Sequence, residues 1–408
     1  MLVILVLRGL LIASEVMIAL PILYLCVLSV SAAFAARMRR AALASDDHFT
    51  PPQRIRFAVL IPAHNEEGIL CTLLESLAEL DYPKDYYSVY VVADNCTDST
   101  AEIARSTGWA HVYERFDGSK RGKGFALSWA LQQLEREQPG YDACVILDAD
   151  SLVDRAFLRA MEHELARGAQ ALQADNGVLN SADSPSTALR WIALALMNYV
   201  RPLGRNGLGC SSTLTGNGMC LRRGLLQRHP WESFGLAEDY HYYLTLLEHG
   251  EHVRYVPEAV VRSQMPTTFA QMKMQDIRWE SSAGGRPLWQ VVTRLIAAGL
   301  KHHNRAPLEG VVELLTPPLS LLVGWSVLEL AAALCLGWLP GLLASLALLA
   351  ALMGYISSPL YLLHPPRSIY LSLAYAPGFI AWKLWVVFVL RKRKKYTSEW
   401  VRTTRIAS

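Results

Sequence analysis

Acidic residues from distant parts of the chain carry the pattern a cation-assisted reaction on a phosphate ester requires. Asp148 and Asp150, one residue apart, follow the apolar run Val145-Ile146-Leu147. A strand running up to them predicts both carboxylates on one side. Two such oxygen donors suit a hard cation such as Mg²⁺, which takes one or two carboxylates plus substrate phosphates and water. Asp94 closes a second apolar run, Val89 to Ala93. Glu238-Asp239 form a third acidic group ahead of Tyr240, Tyr242 and Tyr243, where the pair also favours the start of a helix. Lys120, Arg121 and Lys123 stand among Gly118, Gly122 and Gly124, cations beside glycines that suit a diphosphate or, alternatively, a solvated surface loop. Thr215-Gly216-Asn217-Gly218 is a flexible polar turn. Gln275, Arg278 and Trp279 fall at i, i+3 and i+4, one face of a helix, where Arg suits a diphosphate and Trp a sugar ring or acceptor chain.

The elements that must position these groups alternate along the chain. Phe57 to Ile61 is a continuous apolar run, followed by Pro62-Ala63-His64-Asn65-Glu66 and by Leu70, Leu73, Leu74, Leu77 and Leu80 at helical spacing. Val89 to Ala93 repeats the strand, and Ser99-Thr100-Ala101-Glu102 predicts a capping box opening a helix. A helix from Gly124 to Leu134 then precedes a strand from Cys144 to Leu147. This alternation predicts an α/β fold with a mostly parallel sheet and helices on both faces. In such sheets ligands bind beyond the carboxyl ends of the strands, where His64, Asn65, Glu66, Asp94, Asp148 and Asp150 all fall.

Several classes are excluded. No Gly-x-Gly-x-x-Gly follows the first strand, against a dinucleotide redox enzyme, and Gly118 to Gly124 is too short for a Walker loop and lacks the Ser or Thr after Lys123. A net charge of +3 over 408 residues, with no basic stripe interleaved with aromatics in the central region, argues against nucleic acid. The seven cysteines include no Cys-x-x-Cys pair, so neither a zinc site nor a disulfide framework is expected.

Hydrophobic residues make up 52% of the chain and concentrate at its two ends, which predicts membrane segments. Val16 to Ala36 is long enough to span and is followed by Arg37, Arg39 and Arg40, which favours a retained anchor with that side cytoplasmic. Leu308 to Gly337, Leu339 to Leu363 and Ile369 to Leu390 are each long enough to cross. The third carries Pro377 and Lys383 and precedes the basic run Arg391 to Lys395, so it is expected to lie in the interface or re-enter. The expected organisation is an anchor over 1–40, a cytoplasmic catalytic domain over 41–285, an interfacial amphipathic segment over 286–305, membrane segments over 306–395 and a cytoplasmic tail over 396–408. The amphipathic segment could equally pack on the domain.

With these motifs in order, residues 56 to 287 resemble the membrane-integrated inverting glycosyltransferases of family 2, the group of cellulose, chitin and hyaluronan synthases and ceramide glucosyltransferases. The resemblance implies a nucleotide-sugar transferase (GT-A) fold flanked by transmembrane helices, a UDP-sugar donor and Mg²⁺ or Mn²⁺. It implies that Asp94, with Ala63, His64, Asn65 and Glu66, contacts the uracil, and that Asp148 and Asp150 hold the metal and donor diphosphate. Lys123, Gln275 and Arg278 would complete the donor site. Asp239 would be the general base, with Gly216, Asn217, Glu238 and Trp279 facing the acceptor. The expected acceptor is a growing polysaccharide, with an export or assembly subunit as a possible partner; the alternative is a membrane lipid glycosylated once. A noncatalytic nucleotide-binding subunit would require a lost acid among Asp94, Asp148, Asp150 and Asp239, and all four are present. Two departures are that Ala237 stands where a Thr often precedes the Glu-Asp pair, and that one clear anchor precedes the domain. The expected location is a bacterial inner membrane, with catalysis on the cytoplasmic side.

Overall fold

The computed structural model describes residues 2–45, 54–137, 140–235, 237–265 and 287–385. Eight strands form one sheet in the order β3-β2-β1-β4-β7-β6-β8-β5. They are β1 (Phe57–Ala63), β2 (Tyr87–Asp94), β3 (His111–Arg115), β4 (Ala143–Ile146), β5 (Ser151–Val153), β6 (Ala171–Val178), β7 (Met219–Arg222) and β8 (Val253–Ser263). The first four run parallel, as the apolar runs predict. The other half is mixed, because β7 pairs antiparallel with β4 and β6, and β5 with β8, while β6 and β8 are parallel. The expectation of a mostly parallel sheet therefore holds for the half that bears His64, Asp94 and Asp148.

β1 is apolar throughout because it is covered on both faces. Phe57, Val59 and Ile61 join a core with Leu70, Leu73, Leu74 and Leu77 of α2 (Leu70–Ala78). Ala58 and Leu60 face the other way, into a core with α4 (Lys123–Glu137) and α9 (Glu238–Glu248). Between α2 and α4 in the chain comes α3 (Thr100–Ser106), whose expected capping box does not form. Asp98 Oδ1 accepts from the Thr100 amide at 3.0 Å, while the Ser99 amide donates to Glu67 Oε2 at 3.0 Å. An Asp two residues before the amide takes the cap from Ser99. Further along are α5 (Phe157–Ala166), α6 (Pro185–Ala195), a π-helical turn over Leu196–Val200, α7 (Arg201–Gly207) and α8 (Arg223–Arg228).

α1 is one helix from Leu2 to Ser45, longer than the segment expected to span. Its Ile18, Ile22, Leu25, Ala32 and Ala36 form a third core with Ile192 of α6, Leu196, and Leu203 of α7. Arg39, at its basic end, is salt-bridged to Glu164 and Glu258 of the sheet domain at 3.0 and 2.8 Å. The helix thus carries the apolar segment directly into the domain.

After the sheet come α10 (Leu288–Lys301), α11 (Arg305–Leu315), α12 (Leu319–Cys335), α13 (Leu339–Leu363), α14 (Arg367–Ser372) and α15 (Ala376–Trp385). α10, the amphipathic segment, buries Val291 and Leu295 in the second core and leaves Trp289 and Leu300 66% exposed. α1 and α13 are long and apolar enough to cross a membrane, and α11 with α12, bent by 56°, make a third candidate. Pro317-Pro318 stop α11 and cause the break within the run read as one crossing. Among the described residues the next segment is broken into α14 of 6 residues, a 3₁₀ turn of 3 and α15 of 10. α1 and α13 run in the same direction, since Ser345 Oγ donates to Glu15 Oε1 at 2.9 Å near one end and Arg40 Nη2 to the Leu362 carbonyl at 3.3 Å at the other.

Candidate active site

The loop after β1 and the end of β2 are tied together. His64 Nδ1 lies 2.7 Å from the Asp94 carbonyl, and Asn65, at φ 57°, turns its side chain so that Oδ1 accepts from the Thr97 amide at 2.7 Å. The Glu66 amide donates to Thr100 Oγ1, and Ala63 is buried beneath them. Asp94 is 6% exposed and salt-bridged to Arg115 at 2.5 Å. Arg115 also donates to the Lys120 carbonyl at 2.7 Å. The Gly/Lys/Arg stretch is thereby fastened to the sheet at one end by Asp94. Arg115 was missed in the sequence; its signal is a lone Arg closing a strand parallel to the one that ends at Asp94.

The other end of that stretch is Lys123, at the start of α4. Its ammonium donates to Asp148 Oδ1 at 2.5 Å and to the Gly216 carbonyl at 2.7 Å, and lies 3.8 Å from Glu238 Oε1. Lys123 thus gathers β4, the Thr215–Gly218 turn and the start of α9 around one charge. Gly216, at φ 77°, leaves space for Asp239: a Cβ there would lie 2.9 Å from Asp239 Oδ2. Asp239 Oδ1 accepts from the Tyr240 amide at 2.8 Å. Burial raises the Glu238 carboxyl to about 7, with Lys123 opposing and Asp239 adding to the rise. Burial also raises Asp239, again against Lys123. Lys123 is itself raised, because the attraction of Asp148 and Glu238 outweighs its desolvation.

Asp148-Ala149-Asp150 is a turn, in which the Ser151 amide donates to the Asp148 carbonyl, so strand alternation is not what orients its carboxylates. The strand stops at Ile146 because the antiparallel partner of β4 begins there, at Met219. Asp148 and Asp150 are half-exposed while Ala149 between them is buried. Asn217, expected at the acceptor, is 2% exposed. Its Oδ1 accepts from the Asp148 amide at 3.1 Å, and its Nδ2 donates to Ser151 Oγ and Ser263 Oγ at 2.9 and 3.1 Å. The side chain therefore clamps the acidic turn to the mixed half of the sheet. Thr215 Oγ1 is buried with no hydrogen-bond partner among the described residues. Gln275, Arg278 and Trp279 lie outside the described residues.

The donor set fits a hard divalent cation completed by a ligand. Asp148 keeps 38% of its side chain exposed, and its carboxylate already holds a cationic ammonium. No group of three or more His, Cys, Asp or Glu side chains among the described residues could enclose a metal alone. Two carboxylates supplemented by phosphates and water suit Mg²⁺ or Mn²⁺ better than a structural transition metal.

Residues 52–282, more than half of the chain, match the family model for glycosyltransferase-like family 2. The chain belongs to this family. Among relatives of this family 2 chain, the probable glycosyltransferase YdaM of Bacillus subtilis is 28% identical over 55% of the chain and 54% of its own length. The beta-monoglucosyldiacylglycerol synthase of Synechocystis sp. is 28% identical over 54% of the chain and 46% of its own length. The chain thus spans about half the length of these curated relatives. A mannosyltransferase of Pyrobaculum calidifontis, solved in complex with GDP-mannose and Mn²⁺, covers 86% of the chain and 99% of its own with a TM-score of 0.51 at 20% identity. That likeness, with the family match, establishes the GT-A fold.

Proposed function

We propose that this chain is a membrane-bound, inverting hexosyltransferase that moves a hexose or N-acetylhexosamine from a UDP-sugar to a hydroxyl of a membrane lipid, on the cytoplasmic face of a bacterial inner membrane. The observation that carries the reading is the convergence of Lys123, Asp148, Glu238 and Asp239, from three separate segments, on one edge of the sheet.

Each group has a task in a direct displacement. Asp239, buried and with its proton affinity raised, takes the proton of the acceptor hydroxyl, a contribution of about 10²–10⁴ in rate. The acceptor oxygen bonds to the anomeric carbon as the bond to the diphosphate breaks, and the electron pair leaves on UDP. Configuration at that carbon inverts. Lys123, bonded to Asp148, would donate to a diphosphate oxygen as its charge grows. Asp148 and Asp150 would hold the Mg²⁺ or Mn²⁺, which supplies further electrostatic stabilisation of the leaving diphosphate. The loop His64 to Glu66, fastened to Asp94, supplies the surface for the uracil. By the family resemblance, Arg278 and Gln275 would serve the donor, and Trp279, with Gly216 and Glu238, the acceptor.

A lipid acceptor is favoured over a polysaccharide by the synthase relative in Synechocystis, 28% identical over 54% of this chain, and by packing of the sheet domain directly on α1. The test is to supply the full chain in nanodiscs with diacylglycerol, Mn²⁺ and a panel of UDP-sugars. An organic-soluble glycolipid formed with UDP release is expected. A long water-soluble polymer would overturn the acceptor assignment, and absence of UDP release with every donor and acceptor would overturn the enzyme.

A further inference from the structure

A cavity of about 270 Å³ lies where α6 and the ends of β6 and β8 meet the segment joining α13 to α14. One wall is apolar, built by Trp191 and Leu194 of α6 and by Leu363, Pro366 and Ile369. The other is polar. Arg262 Nη2 donates to Asp175 Oδ2 at 2.8 Å and Nη1 to the Asp175 carbonyl at 3.1 Å, and the guanidinium lies against Gly177, where a Cβ would meet it at 2.9 Å.

Two observations place this cavity between membrane and catalysis. Arg40 of α1 donates to the carbonyl of Leu362, so the cavity sits level with the basic end of α1, where such side chains meet a bilayer surface. Asn176, in its wall, lies 3.5 Å from the Asn217 amide that holds the Asp148 backbone. The neighbouring stretches also expose large apolar side chains: Met197, Tyr361 and Leu371 are 54%, 73% and 75% exposed. A bilayer would cover them. Among the described lining residues, the Asp175 carboxylate and the Arg262 guanidinium are paired with each other, so Arg262 is not a free cation for a phosphate. Their remaining hydrogen-bonding capacity suits hydroxyl groups.

We infer that this cavity receives the acceptor: the uncharged, hydroxyl-bearing headgroup and glycerol region of a membrane lipid, with acyl chains leaving past Trp191 and Leu363. The inference rests on the lipid-acceptor reading above and adds the site at which the lipid is held. Asp175 and Arg262 orient the headgroup, and Asn176 marks the side from which its hydroxyl reaches the catalytic edge.

The test uses the full chain in nanodiscs with a diazirine-bearing diacylglycerol as the probe. Photolabel is expected on peptides containing Trp191–Tyr199 and Leu363–Ile369, and unlabelled diacylglycerol should displace it. Ala195→Trp, which fills the cavity, should lower that labelling and raise the KM for diacylglycerol by roughly tenfold, with UDP affinity unchanged. Leu363→Trp, from the opposite wall, decides the matter if Ala195→Trp fails to bind UDP. Labelling of these peptides that survives both substitutions, or label found only elsewhere on the helices, overturns the site. Displacement by a soluble oligosaccharide instead of the lipid would make it a glycan site and overturn the lipid assignment. If the wild type glycosylates diacylglycerol and both filled variants do so with unchanged KM, the cavity assignment falls and the proposed function stands. If the wild type transfers no sugar yet the cavity is specifically labelled, the proposed function falls and the lipid site stands.

Discussion

Replacing Glu238 with Gln should make the protein more stable and less active, and only above a definable pH. Glu238 is 7% exposed, and burial raises its carboxyl from the ordinary 4.5 to about 7. A carboxyl that binds its proton more tightly in the folded state than in the unfolded one contributes stability that is complete below pH 4.5. That contribution is lost as pH rises through about 7, because the folded state must then hold a buried charge. The gap corresponds to roughly 3 kcal/mol at pH 8. Gln keeps the shape and stays neutral at every pH, so it escapes the loss. Thermal unfolding followed by intrinsic Trp fluorescence should give similar midpoints for Glu238→Gln and wild type near pH 4.5. At pH 8 the variant should be higher by several degrees. Transfer to the acceptor should fall, because a buried carboxylate kept at a cost in stability is the mark of a group retained for function. The same stability gap at both pH values, or a variant less stable at pH 8, would refute the reasoning.

Three further outcomes follow from the same geometry. Asp239→Asn should lower kcat by about 10²–10⁴ while leaving UDP affinity, read by calorimetry, largely intact, since it removes the base but not the Lys123 and Asp148 contacts; loss of UDP binding would count against Asp239 as the base. Gly216→Ala should destabilise the turn by about 1–2 kcal/mol through its φ of 77° and displace Asp239 from its place; a variant with wild-type transfer would show that Asp239 does not need this position. Lys123→Met should move the acidic limb of the pH–rate profile upward, because Lys123 is the charge that holds the Glu238 and Asp239 carboxyls down; an unmoved profile would remove Lys123 from the centre of the site.

The parts of this architecture that were legible in the sequence are those where burial on two faces imposes a pattern. β1, β2 and β4 are central and parallel, so their continuous apolar runs stand out, and the polar residues that end them mark the ligand edge. The mixed half of the sheet left no such trace, because β5 has only 3 residues and the longer β6 and β8 interrupt their apolar residues with Gln173, Asp175 and Asn176 or with Arg254, Glu258 and Arg262. Local rules failed where a neighbour one residue away competed: Asp98 takes the cap expected of Ser99, and a turn replaces the strand under Asp148. Side-chain commitments were the least legible. Asn217 looks like an exposed turn residue because Gly216 and Gly218 flank it, yet those glycines, at φ 77° and 72°, are what turn its amide inward onto Asp148, Ser151 and Ser263. A polar residue between two left-handed glycines can therefore be the keystone of a site rather than its surface. It is the backbone, bent where no side chain but hydrogen fits, that decides which way the polar group points.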